Sequence, residues 1–154
     1  MIKLEKKIEI DAPVERVFDY LIDPANVTEY TMGAERITRV RRLPNGGYQY
    51  TILGKIAGLR MEMTSEDLEI LPNERIVSKM TSSLLDTLAT ARFERLDGDK
   101  TRVSFDAEST LHAGPLSKLG EAFLARYFDH GVEMEIATIR ARLEAAKTLA
   151  GAPS

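Results

Sequence analysis

Residues 114–150, GPLSKLGEAFLARYFDHGVEMEIATIRARLEAAKTLA, decide how the rest of the chain is read. The stretch has no proline after Pro115, is rich in Ala, Leu, Glu and Arg, and spaces Leu116, Gly120, Phe123, Leu124, Tyr127 and Phe128 at helical intervals. One long helix is the expectation. At 1.5 Å per residue it runs roughly 50 Å, more than a domain of this size measures in most directions, so it lies across the fold as a spine. Two apolar stripes can be drawn on it. Leu116, Gly120, Phe123, Leu124 and Tyr127 form the first; Phe128, Val132, Ile136, Ile139, Leu143 and Ala146 form the second, offset by roughly a third of a turn. The offset predicts a bend or bulge near Asp129–Gly131, or two halves with different partners, the first roofing a cavity and the second gripped by a sheet.

Upstream, the text is mostly that of strands. Ile2, Leu4, Ile8 and Ile10 share one face, interrupted by Lys6. Asp11-Ala12-Pro13 stops this strand and starts a helix, with Pro13 as its first residue, Asp11 or Ala12 as cap, and Val14, Val17, Phe18, Leu21 and Ile22 as its buried stripe. Asp23-Pro24 repeats the start signal for a second short helix ending at Tyr30. A strand from Arg36 to Leu43 meets the turn Pro44-Asn45-Gly46-Gly47 and returns as a hairpin partner from Tyr48. Ala57-Gly58 turns the chain again, into Leu59, Met61 and Met63. The apolar phase then shifts to Leu68 and Ile70, which predicts a β-bulge near Glu66-Asp67. Turns at Pro72-Asn73-Glu74 and Asp97-Gly98-Asp99 separate the last strands, completing an antiparallel meander of six or seven.

Composition narrows the function classes. The 154 residues are 44% hydrophobic and 29% charged, suiting one domain over 1–150 with a flexible tail at 151–154. A net charge of −3 argues against nucleic-acid binding, which needs basic residues gathered on one face. With no cysteine, disulfides and thiolate chemistry are excluded. No uncharged run is long enough to span a bilayer and the amino terminus has no continuous apolar stretch, so stable membrane insertion is not expected and the location read is cytoplasmic. The sequence leaves a homodimer open.

The phrase KIEIDAPVERVFDYLIDPANVTEY, the turn LPNGGYQY, the hairpin RFERLDGDKTRVSF and the closing IRARLEA together resemble the START-like or SRPBCC superfamily, most closely its polyketide cyclase/dehydratase-like group. The resemblance covers nearly the whole chain. It implies an α+β helix-grip fold: a strand, two short helices, a curved antiparallel sheet and a long carboxy-terminal helix. It also implies a ligand cavity between sheet and helix, in a superfamily whose members are similar to lipid carriers, hormone receptors, cyclases and chaperone co-factors.

The residues themselves describe that cavity. Thr87, Ala89, Ala91 and Phe93 share an inward face, and Ala107 and Ser109 repeat its small side chains on the next strand. Small residues facing small residues leave volume open, with walls of Tyr50, Ile52, Met61, Met63, Met80, Phe105, Phe123 and Tyr127. The alternative is a solid core in which Met fills the gaps. The resemblance favours the cavity, and Ala89, Ala91 and Ala107 with those walls are the candidate ligand-binding residues.

Catalytic constellations are scarce. His112 falls at a strand end in the outward phase, and His130 is followed at helical spacing only by Glu133 and Met134, so no metal or other cofactor is expected. Acid/base work would fall to a cavity Tyr, Arg or His, with Tyr50 and Tyr127 as donors to a ligand carbonyl. Arg36, Arg39, Arg41 and Arg42 crowd one strand; edge protection explains most of them, and one of Arg36, Arg39 or Arg42 could pair with a ligand carboxylate at the cavity mouth. Three functions remain. The first is a carrier or sensor binding a hydrophobic lipid, polyketide or aromatic compound. The second is a cyclase or dehydratase, and the third a protein-interaction module.

Overall fold

The computed structural model describes the backbone of residues 1–151 and the side chains of residues 1–145. Strand β1 (Ile2–Ile10) leads into helix α1 (Val14–Ile22), a 3-10 turn over Pro24–Asn26 and the one-turn helix α2 (Val27–Tyr30). Six strands follow: β2 (Ala34–Arg42), β3 (Tyr48–Ile56), β4 (Leu59–Leu71), β5 (Arg75–Thr81), β6 (Leu85–Leu96) and β7 (Lys100–Leu111). A second 3-10 turn, Ser117–Leu119, precedes helix α3 (Glu121–Gly151). All seven strands form one antiparallel sheet in the order β1-β7-β6-β5-β4-β3-β2. This is the expected helix-grip order. Of the expected tail at 151–154, Gly151 is the last residue of α3 and the other three lie outside the described residues.

Local chemistry accounts for the boundaries. Pro13 lies just outside α1, its carbonyl accepting the N–H groups of Arg16 and Val17 at 3.0 and 3.2 Å, one position earlier than the sequence suggested. Asp23 caps the following turn, accepting the Ala25 N–H at 3.0 Å. In the Ala57-Gly58 turn both residues have positive φ, 49° and 82°, as a two-residue hairpin of this twist demands. The bulge of β4 falls slightly later than expected, between Asp67 and Glu69. The extra residue is Leu68, which is 47% exposed, so Asp67 stays in phase with Met61, Met63 and Ser65 and points inward.

The long helix differs from its sequence reading in two ways. It begins at Glu121, because Gly120 adopts φ 88° and closes the preceding 3-10 turn. It also runs through Gly131 in unbroken α geometry, without the expected bulge. Leu116 and Gly120 lie outside the helix and Phe123 is 53% exposed, so the first stripe does not exist. A single inward stripe remains: Leu124, Phe128, Gly131, Val132, Glu135, Ile136, Ile139 and Leu143. Ala146, the end of the expected second stripe, lies beyond the described side chains.

The helix still serves two partners. Leu124, Tyr127 and Phe128 pack with Val27, Ile52, Ile56, Met63, Leu85 and Leu116. Val132, Ile136, Ile139 and Leu143 pack with Ile8, Ile10, Val17, Phe18, Phe93 and Val103 at the other end, where the Phe18 and Phe93 rings meet edge to face at 5.4 Å. Each cluster buries enough apolar surface to anchor one end of the helix. Between them the sheet and helix do not close.

Candidate functional site

Strand register creates the opening. Leu4, Ala107, Ala89, Ser78 and Asp67 are successive cross-strand partners in a row over β1, β7, β6, β5 and β4. Ala107, Ala89 and Ser78 are too short to reach α3. The flanking rows mix small groups with longer ones, Phe105, Ala91 and Ile76 on one side and Ser109, Thr87, Met80, Ser65 and Tyr50 on the other. Against this floor stand Tyr127, Phe128, Val132, Glu135, Ile136 and Ile139 of α3, with Leu21, Ile22, Val27 and Tyr30 of the short helices. They enclose about 320 Å³ with chiefly apolar walls.

Ten of the eleven residues predicted to face a cavity line this volume: Tyr50, Ile52, Met61, Met63, Met80, Ala89, Ala91, Phe105, Ala107 and Tyr127. Phe123 does not. It stacks against Tyr127 at 6.4 Å and is exposed, because at about 100° per residue it points away from the inward stripe that Leu124 begins. The arginines of β2 do not reach the cavity either. Arg39 pairs with Glu62, Arg41 donates to Gln49, and Arg42 lies over the Tyr48 ring at 5.2 Å, all on the exposed surface. His112 sits beside Asp86 at 3.1 Å and His130 is not among the cavity's lining residues, so neither histidine touches the cavity. Among the described residues no cluster of three His, Cys, Asp or Glu could hold a metal ion.

Beside Tyr50 and Tyr127, the cavity receives polar groups that the sequence reading did not name as ligand contacts. Lys6, the interruption in the apolar face of β1, lines the wall and is held by Asp129 at 2.8 Å and Glu133 at 2.7 Å. Asp67 accepts the Tyr48 N–H on Oδ2 and the Ser78 hydroxyl on Oδ1, both at 2.8 Å. Burial pushes its carboxyl up, and those two donors oppose the shift. Glu135 Oε1 accepts the Met32 N–H at 3.1 Å, and burial pushes its carboxyl up to about 7. Burial also raises the phenols of Tyr30 and Tyr50, the second drawn partly back by Ser65.

Tyr30 feels the charges of Tyr50, Glu135 and Asp67, so the four groups form one neighbourhood at the cavity wall. Tyr127 is engaged elsewhere: its hydroxyl oxygen accepts the Ala57 N–H at 2.8 Å. A signal for Glu135 was present in the sequence, since it falls four residues after Gly131 and four before Ile139, an acid inside an apolar stripe. Asp67 likewise continues the alternation of Met61, Met63 and Ser65.

The segment between α2 and β2 seals this side. Met32 rests on Gly131, where a Cβ would sit 2.4 Å from Met32 Cε. Gly33, at φ 82°, accepts the Lys55 N–H at 3.0 Å and leaves no space for a side chain.

Residues 1–144 match the family described as polyketide cyclase/dehydrase and lipid transport. No curated protein matches the chain. Among solved structures, a START superfamily protein from Mycobacterium smegmatis superposes with a TM-score of 0.79 at 13% identity, over 94% of this chain and 98% of that one. The ZhuI aromatase/cyclase from Streptomyces sp. R1128 does so with a TM-score of 0.78 at 16% identity, over 98% of both chains. A protein from Thermus thermophilus gives 0.78 at 18% identity, over 94% of this chain and 98% of its own. At these identities the likeness is one of fold. Among the described residues no helix is long and apolar enough to cross a membrane.

Proposed function

Because this chain belongs to the polyketide cyclase/dehydrase and lipid transport family, we propose that it binds a hydrophobic small molecule, a lipid, polyketide or aromatic compound, in the volume between sheet and α3. The observation that carries the reading is the Leu4–Ala107–Ala89–Ser78–Asp67 row, whose short side chains leave an apolar space that the flanking core clusters do not fill. A packed core would place Leu or Phe there. In this reading the protein works in the cytoplasm with a small molecule rather than nucleic acid as its partner.

A second reading, a cyclase or dehydratase, is favoured by one observation: the Glu135 carboxyl, which burial pushes up to about 7, lines the same apolar space as the phenols of Tyr30 and Tyr50. Such a group can exchange a proton with a bound carbonyl compound near neutrality. The similarity in fold to an aromatase/cyclase is compatible with this.

Native mass spectrometry of gently purified protein, followed by titration with a panel of lipids and aromatics, tests the first reading. A co-purifying apolar mass or saturable binding supports it. Protein that is empty and binds nothing in the panel counts against both readings. Turnover of a poly-β-ketone with wild type but not with Glu135→Gln supports the second.

A further inference from the structure

One stretch of the cavity wall is built differently from the rest. The sheet side is held by strand ladders, α3 is anchored at both ends by the core clusters, and Lys6 ties the helix to β1 through two ion pairs. Thr31, Met32 and Gly33, the strap that joins α2 to β2, belong to no helix or strand, yet Thr31 and Met32 line the cavity. The strap is fixed at its ends, where Val27 of α2 is buried in a core cluster and Ala34 pairs with Gly54 of β3. Its middle is held to α3 by one hydrogen bond among the described residues, in which the Met32 N–H donates to Glu135 Oε1 at 3.1 Å, and by the Met32 side chain lying in the notch that Gly131 leaves. Both ties release readily. A single hydrogen bond that water can replace contributes little net stability, and an unbranched methionine leaves a notch by rotating about its own side-chain bonds. Gly33, at φ 82° and with its carbonyl accepting the Lys55 N–H at 3.0 Å, gives the strap a hinge seated on β3.

Resting on the binding function proposed above, we propose that Thr31–Gly33 is the gate of the cavity: Met32 lifts off Gly131, the strap turns about Gly33, and the ligand passes between the strap and α3. This gives Gly131 a role that helix formation does not. A glycine inside a helix of 31 residues weakens it, and alanine in its place would strengthen it. A Cβ there, however, would stand 2.4 Å from Met32 Cε and hold the gate ajar. Glycine is therefore the seat on which the gate closes.

The geometry also supplies the test. The chain has no cysteine, and a Cβ at 131 would stand 3.7 Å from the Met32 Cβ, a usual separation across a disulfide. The double variant Met32→Cys/Gly131→Cys, made in the full chain, can thus be locked by oxidation and released by reduction. The probe is N-phenylnaphthylamine, an uncharged apolar fluorophore that brightens in a dry site, with association and dissociation followed by stopped-flow fluorescence. Oxidation, checked by the loss of reactive thiols, should slow both rates by at least about tenfold and leave Kd nearly unchanged, which marks a gate rather than a reshaped wall. Met32→Ala, which removes the plug, should speed both rates, and it decides the matter if the thiols do not pair. Equal rates in the oxidised and reduced forms, a locked form that loses affinity without exchanging more slowly, or a Met32→Ala variant no faster than wild type would overturn the gate while leaving a binding cavity. Failure of the probe to bind wild type would overturn the binding function and the gate with it.

Discussion

Ala89 on β6 and Ala107 on β7 stand directly opposite each other, at the centre of the row that runs from Leu4 to Asp67. Two methyl groups facing each other beneath a helix leave the floor of the cavity low. Ala89→Leu should therefore raise that floor and reduce affinity for any cavity ligand at least about tenfold. Because the added atoms enter open space, Tm should change by no more than about 4 °C, checked by calorimetry beside the binding titration. A larger fall in Tm would mean that the site is packed core.

The second prediction concerns pH. Glu135 is protonated in the folded chain up to about 7 but only to its ordinary carboxylate range when unfolded. The folded state then binds more protons than the unfolded state across that window, so stability falls as pH rises through it. The stabilisation is fully present below the unfolded value and lost above about 7; its size is on the order of 3 kcal/mol. Asp67, which burial also pushes up, adds a loss of the same sign. Tyr30, Tyr50 and Asp67 face this region, with Lys6, Asp129 and Glu133 elsewhere along the same helix and its partner strand, and the phenols stay neutral throughout. Urea melts of wild type and Glu135→Gln at several pH values check this: the variant should show a flatter profile between the two limits.

Asp67 ties the bulge to the β2–β3 hairpin. Its side chain takes the Tyr48 N–H and the Ser78 hydroxyl, its backbone carbonyl takes the Asn45 amide at 2.9 Å, and Gly47 packs against it. Asp67→Ala should cost about 2–3 kcal/mol, since it strands a backbone donor and a hydroxyl. Asp67→Asn, which keeps one acceptor oxygen, should cost about half as much. Chemical denaturation distinguishes them.

Gly131 and Met32 should be coupled. A side chain at 131 displaces Met32, so Gly131→Leu is expected to destabilise by about 2 kcal/mol despite leucine's higher helix propensity. In the background of Met32→Ala the same substitution should be close to neutral. A double-mutant cycle with a coupling below about 0.5 kcal/mol would show that the contact carries no energy.

Much of this was legible along the chain because it depends on neighbours in sequence. Alternation in β1, β3, β6 and β7, the start signals at Pro13 and Asp23-Pro24, and the turns at Asn45-Gly46, Ala57-Gly58 and Gly98 are local and period-based. They determined the order of elements, the antiparallel meander and the inward face that holds Ala89, Ala91 and Ala107. The helix start was misplaced, at Gly114 instead of Glu121, because Gly120 looks like part of an apolar stripe, whereas its positive φ ends a separate turn. With Leu116 and Gly120 outside the helix and Phe123 on its exposed side, the first of the two expected stripes has no counterpart in the fold.

The sequence places Glu135 and Asp67 on inward faces, but what surrounds them there belongs to the tertiary structure. Whether Glu135 is one more solvated acid of a charged helix or a buried carboxyl pushed up by desolvation depends on the rotation of α3 and on Met32 docking over Gly131 from a loop 103 residues before Glu135. Whether Asp67 faces water or the cavity depends on which residue of β4 takes the bulge, a choice made by pairing with β5. Periodicity reports which face a residue shares; only the approach of other elements decides what dielectric and which donors it meets there. The sequence by itself therefore determined a sheet gripping a helix around small residues, and the tertiary structure decided that this space has one acidic, donor-rich wall.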